Sequence, residues 1–402
     1  MKYLVLLCDG MADYPVDALG GKTPLEAATT PNMDTLAAKA ELGLVKTVAD
    51  GLKPGSDVAN LSVLGYDPEL YYTGRSPLEA GSIGIDMLPD DIAIRCNLVT
   101  LSTADSYEDR ILVDYCADDI STMEGRELIK YLQENLGSDE FRFYGGVSYR
   151  HCLIWNRGTD DLGELTPPHD ITGRCVRDFV PKAEAAQPLY ELMKKSYELL
   201  SKHPINLDRM RRNLRPANSI WLWGNGKRAE LPSFKEKYGV EASMISAVDL
   251  LKGIGKFSEM KVIYVEGATG YIDTDFDGKA QAAIDEFKNG QDFVYVHVEA
   301  PDECGHRNET ENKVRSIELI DEKILGKLIK AMDEYDDYRI LILPDHPTPL
   351  SLKTHTNDPV PYLLYQKTKE CEGMPIFSEK AAASTGNFVE VGHTLMDRFI
   401  RG

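Results

Sequence analysis

The 402-residue chain lacks any apolar run approaching the ~18 residues of a membrane span, so the sequence predicts no membrane-spanning segment. It has no basic stretch or small-residue cleavage site behind Met1, and no leader segment is expected. Cysteine is sparse, scattered and odd in number, at seven, which argues against a disulfide framework and for reduced thiols in the cytoplasm. Basic charge is also short. With 45 Lys and Arg against 65 Asp and Glu, the net charge of −20 excludes a basic face for a phosphate backbone, and no nucleic-acid partner is expected. A small phosphorylated substrate remains compatible, because a local cluster of Arg or Lys can hold a phosphate whatever the global sign.

What the chain has is a set of apolar strands that end on ligand-type residues. Leu341-Ile-Leu-Pro runs into Asp345-His346, with His355 nine residues on. Phe293-Val-Tyr-Val-His-Val runs into Glu299-Ala-Pro-Asp302 and then His306, and the first strand, Lys2 to Cys8, ends on Asp9. Three strands carrying carboxylate or imidazole at their carboxyl ends suit one edge of an open parallel α/β sheet. Oxygen and nitrogen donors without paired Cys point to divalent cations of the Mn, Mg or Zn kind. Asp302 and His306, spaced i and i+4, share one face of a helix and can converge on one ion.

The segment Pro54-Gly-Ser56-Asp-Val-Ala-Asn60 sets a tight turn before a helix. Ser56 there suits a helix cap, and the hydroxyl that a cap leaves exposed is compatible with a nucleophile at a helix end that attracts a phosphoryl group. Further along, strand–helix alternation gives way near Asp105 to a mixed α+β stretch, with a helix from Thr122 to Leu136, strands at Glu140–Tyr144 and Tyr149–Trp155 and a helix around Pro188–Leu200. Alternation resumes at Ser219. The expected organisation is a discontinuous core, residues 1–110 and 215–402, interrupted by an inserted cap at 111–214. His297, inside an apolar strand, reads as a buried, hydrogen-bonded core residue. The run Asp208-Arg-Met-Arg-Arg reads as a solvated helix end.

Asp9-Gly-Met, Pro54-Gly-Ser56-Asp-Val-Ala-Asn, Asp302 with His306, Asp345-His346 and His355 occur in the order found in cofactor-independent phosphoglycerate mutases. The chain resembles the short archaeal-type branch of that family, within the alkaline phosphatase superfamily. Gly20-Gly-Lys-Thr-Pro-Leu, Tyr71-Tyr-Thr-Gly-Arg75, Arg95-Cys-Asn97 and Gly267-Ala-Thr-Gly-Tyr-Ile-Asp-Thr-Asp275 extend the likeness over almost the whole length.

The resemblance implies an alkaline-phosphatase-like three-layer α/β core with a mainly parallel sheet, and a cap that closes over the site to exclude water. It implies two divalent ions, one held by Asp302, His306 and His355, the other by Asp9, Ser56, Asp345 and His346. Ser56 would carry the phosphoryl group between 3-phosphoglycerate and 2-phosphoglycerate. Lys252, expected on a turn after a core strand, matches a lysine set against the phosphoserine. Arg75, Arg95, Arg150 and His151 are candidates for binding substrate anions. The same site also suits a homoserine kinase-like phosphotransferase of threonine biosynthesis, a plain phosphatase, or a metal-binding protein without catalysis.

Overall fold

The computed structural model describes residues 1–402 and divides them into two compact units. One comprises Met1–Tyr72 with Leu231–Gly402, and the other is Thr73–Glu230.

The first unit is built on an eight-stranded sheet in the order Phe388–Val389, Glu41–Val45, Val360–Gln366, Tyr338–Leu343, Lys2–Cys8, Phe293–Val298, Ala242–Ile245, Lys261–Ile263. Every pairing is parallel except the two made by Val360–Gln366. The three ligand-bearing strands are neighbours, with Lys2–Cys8 in the middle. Leu7 pairs with His297 on one side and with Leu343 on the other, so the three carboxyl ends finish level. That register brings the residues that follow them to one edge.

These strands are continuous apolar runs because both sheet faces are covered. On one face Leu4, Leu6, Val294, Val296, Ile340 and Ile342 share a core with Ala280, Ala283 and Phe287 of the Phe276–Lys288 helix, and with Met33 and Leu36 of Pro31–Ala37. On the other, Tyr3 meets Phe399 edge-on at 5.7 Å and Phe293 packs on Phe234 at 4.6 Å. The result is the expected three layers. Burying a Leu side chain contributes about 1.5–3 kcal/mol, and Leu4, Leu6 and Leu7 are all 0% exposed. That is of the size of the backbone and side-chain ordering cost of about 1.5–3 kcal/mol per residue.

The second unit is α+β, as expected, but wider than residues 111–214. Its sheet is antiparallel and centred on Ile92–Leu101, which pairs with Arg150–Trp155, Leu112–Asp114 and Ser219–Lys227. Phe141–Val147 completes it against Arg150–Trp155. The boundaries therefore move to Thr73 and Glu230. The cause is Ile92–Leu101, a strand buried along almost its whole length with a partner on each side; the polar stretch near Asp105 is only a loop within this unit. Ile92, Ile94, Cys96 and Leu98 join the core under the Thr122–Leu136 and Gln187–Leu200 helices. Ser121 caps the first of these by accepting from the Glu124 N–H.

Candidate metal centre

Asp9 leaves its strand through Gly10, whose φ of +61° favours glycine and whose position would drive a Cβ to 2.6 Å from Asp302. The chain can turn there only without a side chain. Asp302 and His306 lie on the Ala300–His306 helix, as their spacing predicts. Asp345 and His346 follow the Tyr338–Leu343 strand after Pro344.

Two groups of ligand atoms result, Asp302 with His346 and His355, and Asp9 with Asp345 and His346, each within 4.8 Å. His346 Nε2 lies 3.7 Å from Asp9 Oδ1 and 3.4 Å from Asp345 Oδ2. Asp302 reaches His306 Nε2 at 3.3 Å and His355 Nε2 at 3.4 Å. The His346 and His355 rings stack at 3.9 Å.

Fixed partners set the tautomers. Lys353 O only accepts, so the His306 Nδ1–H donates to it at 3.0 Å and Nε2 faces inward. Thr348 Oγ1 donates to Asp302 Oδ1 and so accepts from His346 Nδ1 at 3.3 Å, which leaves the His346 Nε2 lone pair facing the cluster. Imidazoles oriented through their outer nitrogen in this way are what metal sites use.

Charge tells the same story. Burial, then the Asp345 and Asp302 carboxylates, raise the Asp9 pKa well above its ordinary value. Burial also acts to raise Asp302, but hydrogen bonds from His306 and His355 hold it well below the usual carboxylate range. The same contact with Asp302 lifts His306 to about 9. Asp9 Oδ1 is buried and has no hydrogen-bond partner. A buried carboxylate oxygen left without a partner costs about 1–3 kcal/mol or more, and a divalent cation among these oxygens and nitrogens relieves it. The donor set fits Mn, Mg or Zn.

Ser56 begins the Ser56–Val63 helix, and Gly55 rather than Ser56 is the N-cap. The serine is therefore no cap. Its Oγ lies 3.2 Å from His346 Nε2, at the positive end of the helix. One turn on, the Asn60 amide donates to both Asp345 Oδ2 and Ser56 O at 2.8 Å, while its Oδ1 accepts from Tyr295 at 2.6 Å. Asn60 thus ties serine, ligand and sheet together. Its signal in the sequence was the i+4 spacing from Ser56; Thr348 offered none.

Lys252 departs from expectation. It lies on the Asp249–Phe257 helix, not on a turn, and pairs with Asp249 at 3.2 Å, 5.2 Å from the centre of the Tyr264 ring. No hydrogen bond ties it to the cluster. In the second unit Arg75, Arg95, Arg150 and His151 do come together, lining a cavity of about 240 Å³ with Glu79, His169 and Trp223. Glu79 grips Arg95 through Nε at 2.9 Å and through Nη2, and the guanidinium stacks 4.5 Å from the Trp223 ring. His151 accepts from Gly146 N at 3.0 Å, and burial pulls its pKa down to about 3. It is a neutral support for the hairpin and lends the cavity no charge.

A family model described as 2,3-bisphosphoglycerate-independent phosphoglycerate mutase matches residues 37–206. A Geobacter sulfurreducens protein named as a probable enzyme of that description is 50% identical over 401 residues, covering 100% of both chains. A Methanosarcina barkeri protein with the same name is 50% identical over 387 residues, covering 95% of each. Among solved structures, a Pyrococcus horikoshii protein superimposes with a TM-score of 0.82 at 30% identity, covering 100% of this chain and 96% of its own. A cofactor-independent phosphoglycerate mutase from Thermoplasma acidophilum gives 0.73 at 26% identity, covering 100% and 99%. Fold and site together define an α/β protein with an inserted α+β unit and a carboxylate–imidazole centre suited to divalent cations. The chain belongs to the 2,3-bisphosphoglycerate-independent phosphoglycerate mutase family.

Proposed function

We propose that this protein interconverts 3-phosphoglycerate and 2-phosphoglycerate in the cytoplasm through a phosphoserine at Ser56. The observation that carries the mechanism is Ser56 Oγ at 3.2 Å from His346 Nε2, on a helix N-terminus beside the Asp9 and Asp345 carboxylates. The names of relatives at 50% identity support the substrate. No helix is long and apolar enough to cross a membrane.

Asp302, His306 and His355 are proposed to hold one divalent ion, and Asp9, Ser56, Asp345 and His346 the other. Such ions, when bound, lower the pKa of a serine hydroxyl and neutralise phosphoryl oxygens. Ser56 Oγ bonds to phosphorus as the donor's oxygen–phosphorus bond breaks. The retained glycerate then takes the group back on its neighbouring hydroxyl. No bisphosphorylated cofactor enters this cycle. Asn60 keeps Ser56 and Asp345 in register throughout. The guanidinium groups of Arg75, Arg95 and Arg150 are proposed to bind the anionic substrate. Lys252 is proposed to exchange Asp249 for the phosphoserine.

A homoserine kinase-like reaction would use the same serine and ligands, but the relatives' names favour the mutase. Purified protein with Mn²⁺ should convert 3-phosphoglycerate to 2-phosphoglycerate without ATP or 2,3-bisphosphoglycerate. ATP-dependent phosphorylation of homoserine in place of that conversion, or release of free phosphate alone, would overturn the reading.

A further inference from the structure

We infer that His297 is the positioning residue that makes Asp9 a one-oxygen ligand, occupying Oδ2 and leaving Oδ1 for a cation. This rests on the metal reading above and goes beyond it, since His297 itself is no ligand. The ring sits on the strand beside Asp9's own, 0% exposed, with Nε2 2.8 Å from Asp9 Oδ2. On its far side Nδ1 lies 3.1 Å from Ser246 Oγ, which in turn accepts from Val248 N at 3.0 Å.

Donor bookkeeping fixes the direction of this chain. As a cation ligand Asp9 is a carboxylate and only accepts, so His297 then carries its proton on Nε2. Nδ1 is then an acceptor, and Ser246 supplies the hydroxyl proton. The Nε2–H donation at 2.8 Å supports the Asp9 anion at Oδ2. The remaining oxygen, Oδ1, is the buried atom without a partner, and it points toward His346 Nε2 at 3.7 Å. Ser246, His297 and Asp9 thus form a relay that aims one lone-pair-bearing oxygen. A ring that only filled space in the sheet would need neither the Ser246 hydroxyl nor the alignment with Oδ2.

The test is Mn²⁺ binding to chelator-stripped protein, followed by titration calorimetry and by electron paramagnetic resonance of free Mn²⁺. It is best run in an Asp302→Ala background, where only the ion at Asp9 is left. His297→Leu should weaken that ion about 10- to 100-fold, the usual effect of losing a partner behind a ligand. His297→Gln, whose amide N–H₂ reaches the position of Nε2, should restore most of the affinity. In the otherwise native protein, the ion at Asp302, His306 and His355 should change less than about twofold. If His297→Leu does not fold, Ser246→Ala carries the test, with an expected weakening of about 3- to 10-fold at the same ion, because the tautomer is no longer held. Native affinity in His297→Leu, or in Ser246→Ala, overturns the inference, as does equal weakening of both ions. A native protein that binds no Mn²⁺ overturns the metal reading itself, which is a separate failure.

Discussion

The Nε2 atoms of His306 and His355 face each other at 2.8 Å. Two lone pairs cannot meet at that distance, so the pair shares either a proton or a cation. Without metal it is a proton, and Asp302 holds the His306 imidazolium up to a pKa of about 9. Metal must therefore displace that proton. Mn²⁺ affinity at this ion should rise about tenfold per pH unit between pH 7 and 9 and flatten above. In the metal-free protein the sign is opposite. A raised histidine pKa adds stability that is fully present below about 6.5 and lost as pH rises through about 9. Calorimetric titrations in buffers of different ionisation enthalpy would read the released proton. Affinity independent of pH over that window would contradict this account of the site.

Lys313 ties the two loops that carry the ligands. Its ammonium, 0% exposed, donates to Asp13 Oδ2 at 2.7 Å and to Thr348 O at 2.8 Å, and Asp13 also accepts from Leu350 N. Lys313→Met leaves a buried carboxylate unpaired and should cost about 3–5 kcal/mol in urea unfolding. Adding Asp13→Asn should recover more than half of that. A loss below about 1 kcal/mol for the single change would show that the pair is dispensable.

Glu379 is a half-buried acid whose pKa desolvation pushes up to about 7, against hydrogen bonds from Thr23 and the Asp13 N–H. Its folded value lies above its unfolded one, so its contribution is present below about pH 4.5 and lost as pH rises through about 7. Glu379→Gln should match the native protein near pH 4.5 and exceed it by up to about 3 kcal/mol above pH 7. Parallel stability curves for the two proteins would rule this out.

Arg95 gives the test of the second unit's cavity. Arg95→Met removes a charge-assisted donor worth about 1.5–3 kcal/mol, so kcat/KM for 3-phosphoglycerate should fall about 10- to 150-fold. Unchanged kinetics would move the anion site elsewhere.

Much of the centre was legible because its ligands sit where apolar strands stop, and the i,i+4 pair announced its helix. The supports were not. Thr348 is an ordinary polar residue until the fold places it, the i+4 spacing of Asn60 from Ser56 said nothing of its bond to Asp345, and a buried lysine such as Lys313 looks like surface in a sequence. Arg209, inside a basic run read as solvated, is 2% exposed and bonded to Glu124 at 2.7 Å. Lys252 was misplaced because Gly253 and Gly255 masked the helical spacing of Leu250, Leu251 and Ile254. The boundaries slipped because a polar loop near Asp105 resembles a linker, whereas strand pairing between Ile92–Leu101 and Ser219–Lys227 is a long-range fact.

The central claim is that Ser56 carries the phosphoryl group. Ser56→Ala leaves the Asp and His ligands in place, so metal binding should weaken only modestly while turnover falls by several orders of magnitude. The most direct measurement is the intact mass of protein acid-quenched during turnover of 3-phosphoglycerate. It should show one phosphate adduct on the native chain, mapped to Ser56, and none on Ser56→Ala. An adduct that persists in the Ser56→Ala protein, or near-native turnover without one, would contradict the account.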